Sequence, residues 1–276
     1  MLQYKTFYTL VLLLACFACK NQPASKYEEQ QAVQAEVEAE IPISGNTIHV
    51  LVALCDNKYQ GIVPVPATIG NGQDAHNNLY WGCGYGIRTY FKRSNEWKLL
   101  ETKKQEGVVL ERLIFKHTSN DYYLVADAYD GRYIKQCTKD FLHSLSGELK
   151  DTLVIADKTV GLYGHAKLVS YIGHDGLMDF TLSDSYKNVD GKKRDCIILA
   201  CKSKQYFAEY VKNADANPLV WTTNLMAPEA YTLHDALTGY ISGESDEEVR
   251  TRAAKAYAKY QKCSEKAARN LLVSGF

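Results

Sequence analysis

A histidine and a cysteine each follow a run of apolar residues that predicts a buried β-strand. His174 comes directly after the run that ends at Gly173, and Cys201 follows the run that ends at Ala200. Because ligands bind at the carboxyl ends of strands in open α/β sheets, the two side chains are predicted to face one crevice. A thiol can attack a carbonyl carbon while a neighbouring imidazole accepts and returns the proton. The pattern therefore predicts a cysteine nucleophile with a histidine general acid and base.

Backbone amides next to these two residues are predicted to hold the negative charge that develops on the attacked oxygen. Gly176 lies two residues after His174, and glycine lets a backbone approach a substrate closely. The amides of Gly176 and Cys201 are therefore the candidate oxyanion donors. The helix predicted to begin after Cys201 also favours the thiolate form of its side chain. The alternative is structural: a hydrogen-bonded histidine at a strand end and an inert thiol in the core.

Three further residues are candidates for contact with a substrate. Asp56 follows the first predicted strand and is expected to receive a basic side chain. Thr223 and Asn224 end a later strand and are expected to edge the crevice. No C-x-x-C pair and no Cys/His cluster at zinc-site spacing occurs, so neither a metal nor another cofactor is expected. The six cysteines beyond residue 19 are expected to be mostly free thiols.

The elements that would position these residues alternate along the chain from residue 47. Apolar runs alternate with amphipathic stretches, which is typical of βα units around a largely parallel sheet. Ser245 and Glu248 form a capping box that predicts the start of a helix. The predicted strands are 48–54, 96–100, 108–117, 122–128, 168–173, 196–200 and 219–223, and the predicted helices are 74–91, 134–145, 203–213, 225–242 and one from 245 onward.

The two strand ends resemble those of the caspase-like cysteine peptidases, the superfamily that includes gingipains, legumains and metacaspases. The resemblance lies in residues 169–176, where a strand leads into His and Gly, and in residues 197–201, where a strand ends in Ala-Cys. It implies a caspase-like α/β/α sandwich with His174 as general acid and base and Cys201 as nucleophile. Asp175 separates the histidine from the glycine, and Leu199 stands where the family often carries a polar residue. These two departures leave open a divergent or inactive member.

The N-terminal residues predict export and a lipid anchor. Residues 1–18 have a basic residue, an apolar run too short to span a bilayer, and small residues beside two cysteines. This layout is similar to a bacterial lipoprotein signal, with Cys19 preferred to Cys16 as the lipidated residue. Residues 19–45 are rich in Glu, Gln, Ala and Ser and predict a disordered tether. Residues 46–276 are then expected to form a single domain.

Charge and composition limit the classes of partner. Lys and Arg together number 32, as do Asp and Glu, so the chain carries no excess positive charge for a nucleic acid. The leading hypothesis is an exported cysteine peptidase, anchored by lipid to a bacterial membrane and acting on a peptide or protein. The alternative is a surface lipoprotein without enzymatic activity, or a pseudoenzyme, that binds a peptide or glycan in the same crevice.

Overall fold

Eight β-strands form one large sheet in the computed structural model, which describes residues 42–276. A separate two-stranded hairpin and six α-helices accompany this sheet within those residues. The strands are β1 Asn46–Ala53, β2 Trp97–Lys104, β3 Val109–His117, β4 Tyr122–Tyr129, β5 Lys150–Ile155, β6 Lys158–Tyr163, β7 Leu168–Ile172, β8 Asp195–Leu199, β9 Asn217–Thr222 and β10 Leu272–Val273. The helices are α1 Ile87–Arg93, α2 Ile134–Ser146, α3 Ser203–Asn213, α4 Ala230–Ile241, α5 Asp246–Gln261 and α6 Glu265–Leu271.

The centre of the sheet is parallel and its edges are antiparallel. The strand order is β10-β9-β8-β7-β1-β4-β3-β2, with β5 and β6 paired apart from it. The five strands β9, β8, β7, β1 and β4 run parallel, whereas β10, β3 and β2 pair antiparallel with their neighbours. All five carboxyl ends of the parallel strands therefore meet at one edge. The predicted mixed α/β fold with a largely parallel sheet is confirmed.

Hydrophobic residues cover both faces of the central strands. Along β1, Val50 and Val52 belong to one hydrophobic cluster, and Leu51 and Ala53 belong to the other. This alternation follows from the two-residue period of a strand. Strands covered on both faces read as continuous apolar runs in the sequence, which is why β1, β7 and β8 are recognisable there.

Several predicted elements are confirmed with small changes at their ends. The helix predicted over 203–213 is α3, and the helix predicted over 134–145 extends by one residue in α2. At the start of α5, the Ser245 hydroxyl accepts from the Glu248 amide and the Glu248 carboxylate accepts from the Ser245 amide. The predicted capping box is therefore present. The β5–β6 hairpin lies outside every strand predicted from the sequence.

The helix predicted over 74–91 is wrong for most of its length. Turns occupy the chain from 67 to 86, and the helix begins only at Ile87. The Asn78 carboxamide accepts from the amides of Cys55 and Tyr80, which fixes a turn in place of a helical repeat. A Cβ at Gly82 would lie 1.7 Å from the His76 carbonyl oxygen. The glycines therefore serve tight turns.

The predicted signal peptide, Cys16, Cys19 and most of the predicted tether lie outside the described residues. The end of that tether belongs to the folded unit, because the Ser44 amide donates to the Thr159 carbonyl at 2.8 Å and Gly45 bridges to Val160. The folded unit thus begins slightly before residue 46. Within residues 42–276, no helix has the length and apolar character needed to cross a membrane.

Candidate functional site

The end of β7 places His174 at the carboxyl edge of the sheet. Gly173 turns the chain with φ +148°, and a Cβ there would lie 2.6 Å from the Ala53 carbonyl oxygen, so only glycine fits. The His174 side chain is 7 % exposed. The Tyr171 hydroxyl donates to the His174 carbonyl at 2.8 Å, which fixes the backbone at this point.

Asp179 orients the imidazole. Its Oδ2 atom lies 2.8 Å from His174 Nε2 and accepts from the Gly61 amide at 2.8 Å. The loop after β1 therefore positions the Asp179 carboxylate, which in turn orients the His174 ring. With Nε2 engaged, Nδ1 is the ring nitrogen left without a hydrogen-bond partner in the part of the chain that is described. A carboxylate hydrogen-bonded to one ring nitrogen fixes the orientation and the tautomer of a histidine.

No sequence pattern predicts the contact between Asp179 and His174. The residue lies five positions after His174, and only the short 3₁₀ helix Gly176–Met178 brings it back to the ring. An acidic residue soon after the histidine was the available signal. The glycine that lets the loop approach, Gly61, is separated from Asp179 by 118 positions, so no local pattern connects the two.

Cys201 occupies the matching position on the neighbouring strand. Ile172 of β7 pairs with Leu199 of β8 in parallel register, so His174 and Cys201 each lie two residues beyond paired positions. Adjacent strands are about 4.8 Å apart. The sulfur is half-buried against the loop after β9, where Sγ lies 3.4 Å from the Met226 amide nitrogen and 3.6 Å from its carbonyl oxygen.

The surroundings of the Cys201 thiol disfavour the thiolate that the sequence predicts. Burial raises its pKa, the Met226 amide opposes this, and the negative charge of Asp175 raises the pKa further. The first amide of α3, that of Ser203, does not donate to the Cys201 sulfur, because it donates to the Thr222 hydroxyl at 3.1 Å. Lys202 also turns the chain with φ +50° between the cysteine and the helix.

The structure brings His174 and Cys201 to one edge in matched register, but no hydrogen bond joins their side chains within residues 42–276. The imidazole binds Asp179, and the sulfur contacts the Met226 backbone. For the two side chains to act together, one of them would have to rotate or a bound group would have to lie between them.

The backbone amides of Gly176 and Cys201 have no acceptor among the residues described. Gly176 starts the short 3₁₀ helix and is buried, and a Cβ there would lie 2.7 Å from the Phe180 ring. The two predicted oxyanion donors are thus unpaired, and a larger residue at position 176 would have to displace the Phe180 ring.

Asp175, which separates His174 from Gly176 in the sequence, is fully buried. Its Oδ1 accepts from the Leu177 amide at 3.0 Å, whereas its Oδ2 has no partner among the described residues. Burial raises the pKa of Asp175 to about 7; the Leu177 amide opposes the increase and Asp179 adds to it. This carboxyl therefore changes charge near neutral pH.

The Asp56 carboxylate is used by its own loop. Oδ1 accepts from the amides of Lys58 at 2.8 Å and Tyr59 at 3.1 Å, and Oδ2 accepts from Gln73 at 2.6 Å. The Gln73 amide also donates to Asp130. A basic substrate side chain would have to replace these bonds. Contact of Asp56 with a substrate stays a prediction.

Thr223 and Asn224 lie at the start of the loop after β9. The Asn224 carbonyl accepts from the Lys202 amide at 2.9 Å, so this residue lies beside the chain that follows Cys201. The Thr223 hydroxyl donates to the Asn270 carbonyl at 2.9 Å and joins the loop to α6. Both side chains are exposed.

The cysteines and acidic residues of the described chain form no cluster of three or more metal ligands. The six cysteines in residues 42–276 are unpaired. Cys55, Cys137 and Cys196 are fully buried, and burial raises the pKa of Cys55 to about 11. These three behave as small core residues.

Comparison of the chain with protein-family models, with curated proteins and with solved structures gave no match. The geometry of His174, Asp179 and Cys201 is the observation on which a function can be based.

Proposed function

We propose that the protein is a cysteine peptidase of caspase-like fold in which Cys201 is the nucleophile and His174 the general acid and base. The observation that carries the proposal is the matched register of the two residues beyond adjacent parallel strands, with the imidazole held by Asp179. A nucleophile, a base and a carboxylate that orients the base are the three parts of a catalytic triad.

The proposed reaction is acyl transfer. Nδ1 of His174 takes the thiol proton while Sγ of Cys201 bonds to the carbonyl carbon of the peptide. The amides of Gly176 and Cys201 stabilise the oxyanion. The imidazolium then gives its proton to the leaving amine as the C–N bond breaks. A water molecule, deprotonated by His174, hydrolyses the thioester and restores the thiol.

The raised pKa of Cys201 makes the base necessary. A protonated thiol is a poor nucleophile, so the sulfur attacks only when His174 removes the proton. Asp179 stabilises the imidazolium that results, because its Oδ2 lies 2.8 Å from the other ring nitrogen. The rate of acylation should therefore depend on all three side chains.

The strand arrangement supports the proposed fold, and the N-terminal residues support a proposed location outside the cytoplasm. The His-bearing and Cys-bearing strands are neighbours in a largely parallel sheet with helices around it, which supports the resemblance to caspase-like peptidases. The apolar run in residues 1–18 with its two cysteines supports export and lipidation at Cys19, or at Cys16, on a bacterial membrane. A peptide or protein outside the cytoplasm would then be the substrate.

A peptide-library digest tests the proposal. Wild-type protein, Cys201→Ala and the control Cys263→Ala are incubated with the library, and products are identified by mass spectrometry. Cys263 is exposed and remote in sequence, so it controls for general thiol loss. Cleavage by wild type and by the control, but not by Cys201→Ala, is expected. Equal cleavage by all three proteins would contradict the assignment.

A second candidate function is binding without chemistry. Tyr85 is 47 % exposed, its ring contacts Tyr231 and Tyr260, and its carbonyl accepts from the Ala230 amide in the segment just beyond Met226. An exposed tyrosine ring that packs on other tyrosines suits contact with a peptide or a glycan. This candidate predicts ligand binding that is the same in wild type and Cys201→Ala, with no product in the digest.

A further inference from the structure

A surface cavity of about 280 Å³ lies between α1 and the turns that precede it. None of its lining residues belongs to the candidate peptidase site, so it is a separate feature of the molecule. The lining residues are His76, Gly82, Arg88, Thr89, Lys92 and Arg93.

The walls of the cavity are fixed by packing. The Thr89 hydroxyl donates to the Gly82 carbonyl at 2.7 Å, and the Gly82 amide donates to the Asn78 carbonyl at 2.9 Å. A Cβ on Gly82 would lie 1.7 Å from the His76 carbonyl oxygen, so only glycine lets this turn close against the helix. The backbone that forms the wall is therefore held in one conformation before any ligand arrives.

The cavity carries more positive charge than its surroundings neutralise. Arg88 lies 3.6 Å from Glu111, whose carboxylate also accepts from the Trp81 indole at 2.9 Å. Lys92 and Arg93 are exposed and form no ion pair with any described residue. Of the three cationic side chains, only Arg88 thus has a carboxylate partner, in a chain whose formal net charge is zero.

Two of these cationic side chains repel each other along α1. Arg88 and Lys92 are four positions apart and lie on one side of α1, where like charges destabilise a helix. An anion in the cavity would remove that repulsion. Arginine adds a planar fork of donors that matches the oxygens of phosphate, and lysine adds a compact charge.

We propose that this cavity binds a phosphate group. Three cationic groups suit a dianion better than a single carboxylate. The volume equals that of roughly nine liquid water molecules, which accommodates a phosphate and a few attached atoms. Phosphate groups reach such a site either on a small soluble molecule or on a phospholipid headgroup, and the same residues would recognise both.

The test measures phosphate binding by calorimetry in the full chain, so that residues 1–41 contribute equally to every protein compared. The double variant Lys92→Gln/Arg93→Gln removes two charges from the cavity and leaves Arg88 in contact with Glu111. The matched control, Lys192→Gln/Lys193→Gln, removes two charges from an exposed loop elsewhere. Thermal unfolding of each protein shows whether α1 is intact.

Wild type and control are expected to bind inorganic phosphate, with affinity that falls as salt is raised. The cavity variant is expected to bind at least about tenfold more weakly. A second titration uses phosphatidylcholine vesicles with and without phosphatidylglycerol. Loss of vesicle binding in the cavity variant would assign a headgroup as the source, and phosphate binding without vesicle binding would assign a soluble ligand.

Two results would overturn the proposal. The first is the absence of measurable binding to phosphate and to anionic vesicles in wild type. The second is an equal affinity in wild type and in the cavity variant. In either case, a lower unfolding temperature of the variant would mean that Lys92 and Arg93 only stabilise the C-terminal end of α1.

Discussion

The substitution Asp175→Asn should make the protein more stable at alkaline pH and leave its stability at acid pH nearly unchanged. The carboxyl is fully buried, and Oδ2 has no partner among the described residues. Ionisation therefore leaves a buried charge that a single amide, that of Leu177, cannot compensate. An asparagine has the same shape and can still accept from this amide, but it carries no charge at any pH.

The magnitude follows from the raised pKa of Asp175, about 7 against an ordinary value of 3.8. A difference of about three pKa units corresponds to roughly 4 kcal/mol. The folded state holds the proton more tightly than the unfolded chain. Protonated Asp175 therefore contributes fully to the free energy of unfolding below about pH 4. This contribution falls as the pH rises and is lost above about pH 7. Between about pH 5 and about pH 8, the loss amounts to about 3 kcal/mol.

Urea unfolding followed by tryptophan fluorescence measures this effect, because Trp81 and Trp221 are fully buried. The free energy of unfolding is compared in wild type, Asp175→Asn and the control Asp157→Asn. Asp157 is an exposed carboxyl between β5 and β6, so its substitution removes the same charge from the surface. The stability of Asp175→Asn relative to wild type should increase by about 3 kcal/mol between about pH 5 and about pH 8.

The reasoning is refuted if Asp175→Asn and wild type change in parallel over this pH range. Parallel change would mean that the carboxylate is hydrated or paired when ionised. A control that follows the pH dependence of Asp175→Asn would refute it as well, because the effect would then come from net charge.

Three other substitutions test the site and its supports. Asp179→Asn should lower peptidase kcat at least about tenfold with little change in KM, because the imidazolium loses its carboxylate partner; unchanged kcat would refute this role. Gly176→Ala should cost about 1–3 kcal/mol in urea unfolding, since the new Cβ would lie 2.7 Å from the Phe180 ring. Arg112→Gln should cost about 3–5 kcal/mol, because it leaves the fully buried carboxylate of Asp127 without its bidentate partner. Wild-type stability in either of the last two variants would contradict the packing described.

Hydrophobic periodicity was sufficient to predict most of the central sheet. The run at 122–128 is β4 with one further residue, and the run at 168–173 is β7 without its last residue. These strands are buried on both faces, so most of their residues are apolar; Asp127 in β4 and Ser170 in β7 are the exceptions. The carboxyl-end positions of His174 and Cys201 follow from the strand ends alone.

The features that the sequence did not predict have one cause in common: they depend on contacts between distant parts of the chain. The helix predicted over 74–91 is replaced by turns, because Asn78 is held by Cys55, 23 positions away. Asp179 reaches the imidazole only through a 3₁₀ helix and the loop after β1. The thiolate expected at Cys201 is disfavoured because burial of the sulfur raises the pKa of the thiol. A local sequence pattern cannot predict such contacts, because the partners lie far apart in the chain.

The central claim is that His174 removes the proton from Cys201 when a peptide is bound. The most direct measurement is the second-order rate of labelling by a peptidyl probe with a thiol-reactive group, in wild type and in His174→Gln, with the labelled residue mapped by mass spectrometry. We predict labelling at Cys201 that falls about a hundredfold in the variant. Equal rates in the two proteins, or a label on Cys83 or Cys263 in place of Cys201, would contradict the claim.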